Sequence, residues 1–296
     1  MPDVLEAKCL LRCEHELAEG PLYENGHLFW VDIKGCLLLC LSLEDGRYQQ
    51  RHIPEQVTSI NRAVDRGYVV TTRRGFGFLS SFDAALDYLN DVEPEHPGNR
   101  FNDAKVDPFG QLWAGTMDDG EQQASGRLYR MASDMAVTVE DDDYIITNGP
   151  TFSPDGSRLY HADTVRRTIY QYDLSSKGIS DKREFVKLGD ADGHPDGMTT
   201  DAEGGIWVCH YGGWRVSRFS PEGKLLMRVT LPVSNVTSAT FGGDLLDTLF
   251  ITTARQGLTA SDLAKQPLAG SIFHVKVPVK GLAANSFGEQ GLTTSG

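Results

Sequence analysis

A polar turn followed by a short β segment of aromatic and β-branched residues recurs along this chain. Asp107-Pro108-Phe109-Gly110 leads into Gln111-Leu112-Trp113-Ala114-Gly115. Ser153-Pro154-Asp155-Gly156 leads into Ser157-Arg158-Leu159-Tyr160-His161-Ala162, and Asp201-Ala202-Glu203-Gly204 into Gly205-Ile206-Trp207-Val208-Cys209. Proline at the second turn position presets φ, and glycine at the fourth tolerates positive φ. Each copy continues into a further strand: Arg127–Met131, Thr168–Asp173 and Arg215–Phe219. Outer strands follow, clearest at Phe185–Leu188 and Met227–Leu231. A four-stranded antiparallel unit of about 40–50 residues cannot bury its apolar faces alone and must stack on copies of itself, the signature of a propeller blade.

Weaker copies run from Leu28 to about Ile53, from Gly67 to about Val92, and through Thr248–Thr253 with Ser271–Val275. The expected fold is therefore all-β, a six-bladed β-propeller of four-stranded antiparallel blades. No linker interrupts the repeats, so residues 1–296 are expected to form one domain, with a weakly ordered tail from about 281 to 296. The segment Ala7–Glu14 lacks a blade of its own and is expected to pair into the last one, closing the ring. Short helical turns are expected only at Asp83–Asn90 and Ser261–Lys265.

The 41 acidic against 28 basic residues give a formal charge of −13, which disfavours nucleic acid and anionic membranes as partners. No apolar run approaches the ~20 residues of a membrane span, and no targeting segment is apparent, so a cytoplasmic location is expected. Cys9/Cys13 and Cys36/Cys40 are spaced C-x3-C. On a strand such partners lie roughly 13 Å apart, too far for a disulfide. All five cysteines, Cys209 included, read as reduced and buried. No GxSxG elbow, P-loop or dinucleotide fingerprint is present.

Asn102, Asn148 and Asp196 each stand in a polar turn, at intervals of 46 and 48 residues, and Glu19 in Glu19-Gly20-Pro21 opens the series. Each alone reads as an ordinary turn residue. Repeated once per blade, just before the innermost strands, they would converge on the ring axis. A Glu, an Asp and an Asn would supply three oxygen ligands and two negative charges. That set suits Ca²⁺, Mg²⁺ or Mn²⁺, with Zn²⁺ and Fe²⁺ open, and three protein ligands leave room for water and substrate.

An ordered set of stretches carries a resemblance. It comprises Glu19-Gly20-Pro21 with Trp30-Val31-Asp32-Ile33; Arg100-Phe101-Asn102-Asp103-Ala104-Lys105-Val106-Asp107; Gly115-Thr116-Met117; Ile146-Thr147-Asn148-Gly149-Pro150; Ser153-Pro154-Asp155-Gly156; Pro195-Asp196-Gly197-Met198; Phe241-Gly242-Gly243; and Thr252-Thr253-Ala254-Arg255. Together they resemble the SMP-30/gluconolactonase/regucalcin family of metal-dependent six-bladed propellers that hydrolyse sugar lactones. The resemblance implies that Glu19, Asn148 and Asp196 are metal ligands, that Asp196 doubles as the candidate general base, and that Arg100 and Asn102 contact substrate. It also implies an acidic substrate contact shortly after Gly-Thr-Met. Glu121 is chosen for that role, with Asp118 and Asp119 competing for it.

The expected activity is hydrolysis of an aldonolactone to its aldonic acid by metal-activated water, in a monomeric protein. A non-catalytic calcium-binding regulatory propeller and a related-propeller esterase or phosphotriesterase are the alternatives. Arg100 has a competing reading as a structural ion-pair residue. His194 and His210 read as ordinarily hydrogen-bonded. Trp113, Trp207 and Trp214 read as blade packing, with a sugar-facing role also open for Trp214.

Overall fold

The computed structural model describes residues 2–289. Six antiparallel sheets form the blades of a β-propeller. Their inner strands, in chain order, are Ala18–Glu24, Val57–Ala63, Asn99–Val106, Thr147–Phe152, His194–Thr200 and Val236–Gly242. Each starts at one end of the central channel, the entrance, and runs to the far end. The second strand of each blade returns, as Leu112–Asp118 does along Asn99–Val106. The loops after the second strands therefore ring the entrance.

Six apolar clusters hold the ring together, one wedge between each pair of neighbouring blades. Trp30, Trp113 and Trp207 are wholly buried. Fully burying a large apolar side chain contributes roughly 1.5–3 kcal/mol, so wedges of this size dominate the fold's stability. Trp113 and Trp207 also donate their indole N–H groups at 2.8 Å to Asp107 and Asp201 in the hairpin turns at the far end. Trp214, expected as packing, is 45% exposed in a tight turn at the entrance.

As expected, Lys8–Leu11 pairs with Ile272–Lys276, so the last blade draws its outer strand from the beginning of the chain. Asp3–Glu6 then adds a fifth strand, parallel to Leu225–Thr230 of blade five. Ala260–Lys265 is helical, as expected, capped by Thr259. The helical turn expected at Asp83–Asn90 is instead the outer strand of blade two, Asp87–Asp91, because the edge of Gly75–Leu79 requires a partner.

The tail is also corrected for residues 281–289. Ser286–Phe287 pairs in parallel with the inner strand of blade two, and Phe287 is buried. Ala202 N–H donates to the Lys280 carbonyl and Gly281 N–H to that of Leu246. At its other end Asn285 donates to Val106 O at 3.0 Å, and Gly288 N–H to Gly110 O at 2.9 Å. The segment thus crosses the far end of the channel from blades five and six to blades two and three. The rest of the expected tail, 290–296, lies outside the described residues. Every cysteine is free, but Cys9 is exposed and Cys13 and Cys36 are only half-buried, because their strands and turns lie at blade edges.

Candidate metal and substrate site

The inner strands share one irregularity. Each breaks register near its start: between Glu19 and Leu22, Val57 and Ser59, Phe101 and Ala104, Asn148 and Thr151, Pro195 and Met198, and Val236 and Ala239. A bulge bends the strand and re-aims side chains. Positive φ at Gly20 (54°) and Gly149 (75°) accommodates it without a Cβ clash. The proposed ligands therefore lie within the innermost strands, at the bulges, and not in turns ahead of them as the spacing suggested.

Glu19, Asn148 and Asp196 are 4%, 3% and 5% exposed. Glu19 accepts the Gly20 N–H at 3.1 Å and faces the like charge of Asp196. Burial, then the charges of Asp196 and Asp103, drives the Glu19 carboxyl well above its usual range. Burial, then the Asp103 charge, does the same to Asp196. Arg100 is the cation that opposes both shifts. Two buried carboxyls of like charge, with Arg100 as the cation beside them, make a place for a further cation. Gly197 lets this strand approach blade six: a Cβ there would stand 2.3 Å from Ser238 Oγ.

The amide of Asn148 is oriented from both sides. Its Nδ2 donates to Thr164 Oγ1 at 2.8 Å, and its Oδ1 accepts from Asn102 Nδ2 at 3.0 Å. Among the described residues no three His, Cys, Asp or Glu side chains converge as a ligand set, so a cation here would take its third protein oxygen from Asn148. Asn102 also donates to Thr147 O at 2.7 Å and accepts from Arg100 Nη1 at 2.7 Å.

Arg100 is buried and bonds Asp119 at 2.8 Å, so it is both an ion-pair residue and a neighbour of the site. Of the three acidic candidates after Gly-Thr-Met, Asp119 is the one bonded to Arg100. Asp118 accepts the backbone N–H groups of Gly120, Gln122 and Gln123 and shapes its own loop. Glu121 stands exposed in that loop, and its charge acts on Arg100 and Tyr211. His194 and His210 bond the Thr164 and Asp192 carbonyls, as ordinary structural histidines do.

Sequence reasoning missed Asp103 and Lys105. Burial pushes the Asp103 carboxyl up to about 6, and Lys105 donates to Met198 O at 2.6 Å. Asp103 follows Asn102 directly, and alternation along a strand would have aimed the two apart; the bulge sets that alternation aside. The cavity of about 600 Å³ in the far half of the channel was also not anticipated. It is bordered by Asp103, Lys105, Thr151, Thr200, Ser238 and the closing segment at Asn285.

The SMP-30/Gluconolactonase/LRE-like region family matches residues 17–255. A 6-deoxy-6-sulfogluconolactonase from Pseudomonas putida is 34% identical over 286 residues, spanning 95% of this chain and 98% of that protein. Regucalcin from Oryctolagus cuniculus is 35% identical over 294 residues, spanning 96% and 98%. Among solved structures, a calcium-binding protein, regucalcin from Agrobacterium tumefaciens, superposes with a TM-score of 0.92 at 26% identity, covering 97% of this chain and 99% of that one. The chain belongs to the SMP-30/gluconolactonase/LRE-like family.

Proposed function

We propose that this chain is a lactonase that hydrolyses a sugar lactone to its aldonic acid at the channel entrance, with one divalent cation held by Glu19, Asn148 and Asp196. The two buried, like-charged carboxyls of Glu19 and Asp196, gathered beside the Asn148 amide, carry the reading. When bound, such a cation polarises an ester carbonyl and lowers the pKa of water. Asp196 would accept the proton of the attacking water. Arg100, fixed to Asp119, would donate to the lactone's ring oxygens and hydroxyls, and Asn102, whose two amide N–H groups go to Thr147 and Asn148, would offer its Oδ1 to a substrate hydroxyl. The near-complete burial of these side chains keeps bulk water from competing for their hydrogen bonds.

Relatives named as sugar lactonases support the hydrolytic reading. The calcium-binding regucalcin neighbour supports a regulatory binding protein as the second reading. The polar network extending outward from Asn148 through Asn102 and Arg100 favours the enzyme, because a binding scaffold has no use for substrate-orienting donors beyond its metal.

The test is a pH-indicator assay on pentono- and hexonolactones with chelator-stripped protein reconstituted with Ca²⁺, Mg²⁺, Mn²⁺, Zn²⁺ or Fe²⁺. Turnover should vanish on chelation and return with a cation. Rates no better than spontaneous hydrolysis in every pairing would leave the binding-protein reading.

A further inference from the structure

The entrance is lopsided. Three cations from three different blades meet on one carboxylate: Lys34 Nζ, Arg73 Nη1 and Arg100 Nε lie 2.9, 2.8 and 2.8 Å from Asp119. Lys34 stands on the loop after the second strand of blade one, Arg73 on that of blade two and Asp119 on that of blade three. Across the channel, blade five offers Tyr211 and the exposed Trp214. Even with Glu121 counted beside Asp119, the cations are in excess, in a protein whose net charge is −13.

One carboxylate cannot saturate three cationic groups. Arg73 fills part of its remaining valence with the neutral Gln56 at 3.2 Å. Lys34 and Arg73 keep 29% and 32% of their side chains exposed at the entrance. The cluster thus combines unspent donors with partial exposure at the entrance. It is wired to the chemical centre by two successive side-chain hydrogen bonds, Arg100 to Asn102 at 2.7 Å and Asn102 to Asn148 at 3.0 Å. A sugar whose reacting carbonyl sits at Asn148 would direct its remote end toward these cations.

We propose that Lys34, Arg73 and Arg100 form a subsite for an anionic substituent, a carboxylate, sulfonate or phosphate, on the carbon of the lactone remote from its carbonyl. The proposal rests on the lactonase reading. Guanidinium and ammonium donors bind such groups through charge-assisted hydrogen bonds, and their field also steers an anionic substrate into the mouth.

The measurement compares kcat/KM for gluconolactone with that for counterparts phosphorylated or carboxylated at the terminal carbon, using metal-loaded protein. At low ionic strength the anionic lactones should be preferred by roughly tenfold or more, and salt should erode the preference. Which anion ranks first identifies the substituent. Arg73→Gln and Lys34→Gln should each lower the anionic-to-neutral ratio several-fold, while Arg73→Lys keeps most of it. Melting curves confirm that each variant folds. A ratio near one, or a ratio unmoved by both glutamine variants, overturns the proposal. If no lactone is turned over, the lactonase reading fails. Calorimetric titration with gluconate and its phosphorylated counterpart then decides the subsite: preference for the phosphorylated acid supports it, and equal affinity overturns it.

Discussion

Asp196 and Asp201 bracket one inner strand of blade five; both are buried, yet they serve opposite ends of the channel. Asp201 is saturated. It accepts the N–H groups of Glu203 and Gly205 at 2.9 Å and the Trp207 indole at 2.8 Å, and it pairs with Arg218 at 2.7 Å. Asp107 does the same work in blade three with Phe109, Gln111 and Trp113. Asp196 has the Gly197 backbone and the Arg100 charge in its favour, and the like charge of Asp103 against it. Burial alone therefore separates nothing. The distinction is whether the fold supplies the donors that a buried carboxylate demands.

The largest expected effect breaks this contrast from the functional side. Asp196→Ala and Glu19→Ala should each lower metal-dependent lactone hydrolysis by roughly a thousandfold or more while leaving a cooperative melting transition. Asp201→Ala should leave specific activity in the folded fraction near normal. Near-normal hydrolysis in both Asp196→Ala and Glu19→Ala would sink the site assignment.

Stability supplies a test of opposite sign. Asp201→Asn removes the buried one of the two carboxylates that Arg218 bonds, Glu203 being the other, and should destabilise by about 2–3 kcal/mol, read from denaturant unfolding. Asp196→Asn relieves like-charge crowding and should raise the stability of chelated protein at neutral pH, by about 1 kcal/mol or more. If both variants lose stability equally, the two carboxylates are not the different kinds described here.

Asn102→Ala should cost less than a ligand, about 10–100-fold in activity, because it removes the group that orients Asn148 and leaves the donor oxygens in place. A parallel loss of metal affinity, measured by competition with a chromophoric chelator, distinguishes this from lost substrate contact alone.

At neutral pH the smallest effect concerns a third kind of buried group, whose contribution shows only as the solution is acidified. His161 is fully buried, neither ring nitrogen has a hydrogen-bond partner, and burial pushes its pKa down to about 3. The folded state refuses a proton that the unfolded chain accepts near pH 6.5. Its stabilising contribution is therefore complete above that value and is lost as pH falls toward 3, with a slope of about 1.4 kcal/mol per pH unit for the one proton. His161→Phe should flatten that part of the stability profile.

Much of this architecture could be read from the chain. Turn chemistry and aromatic alternation located the blades, and the leftover segment at Ala7 had nowhere to pair but the last one. What escaped is non-local. Nothing near Asp3 or Ser286 announces that each will lie parallel to a strand far away in sequence. Asp87–Asp91 is too polar to declare itself a strand; it is one because a neighbouring edge needs pairing. In the site, the spacing found Glu19, Asn102, Asn148 and Asp196, but as turn residues, since a bulge leaves little trace in composition. Lys34, Arg73 and Asp119 sit in separate loops with no shared motif, and only the closed ring brings them together.

The segment that crosses the far end of the channel has a kinetic meaning. With this segment laid across the far end, the acid made from one lactone would depart by the entrance that the next lactone uses. That acid carries a newly formed negative charge past Lys34, Arg73 and Arg100 as it leaves. Departure of the product past these cations would then compete with ring opening to set the pace of turnover, and the viscosity dependence of kcat reads which of the two does.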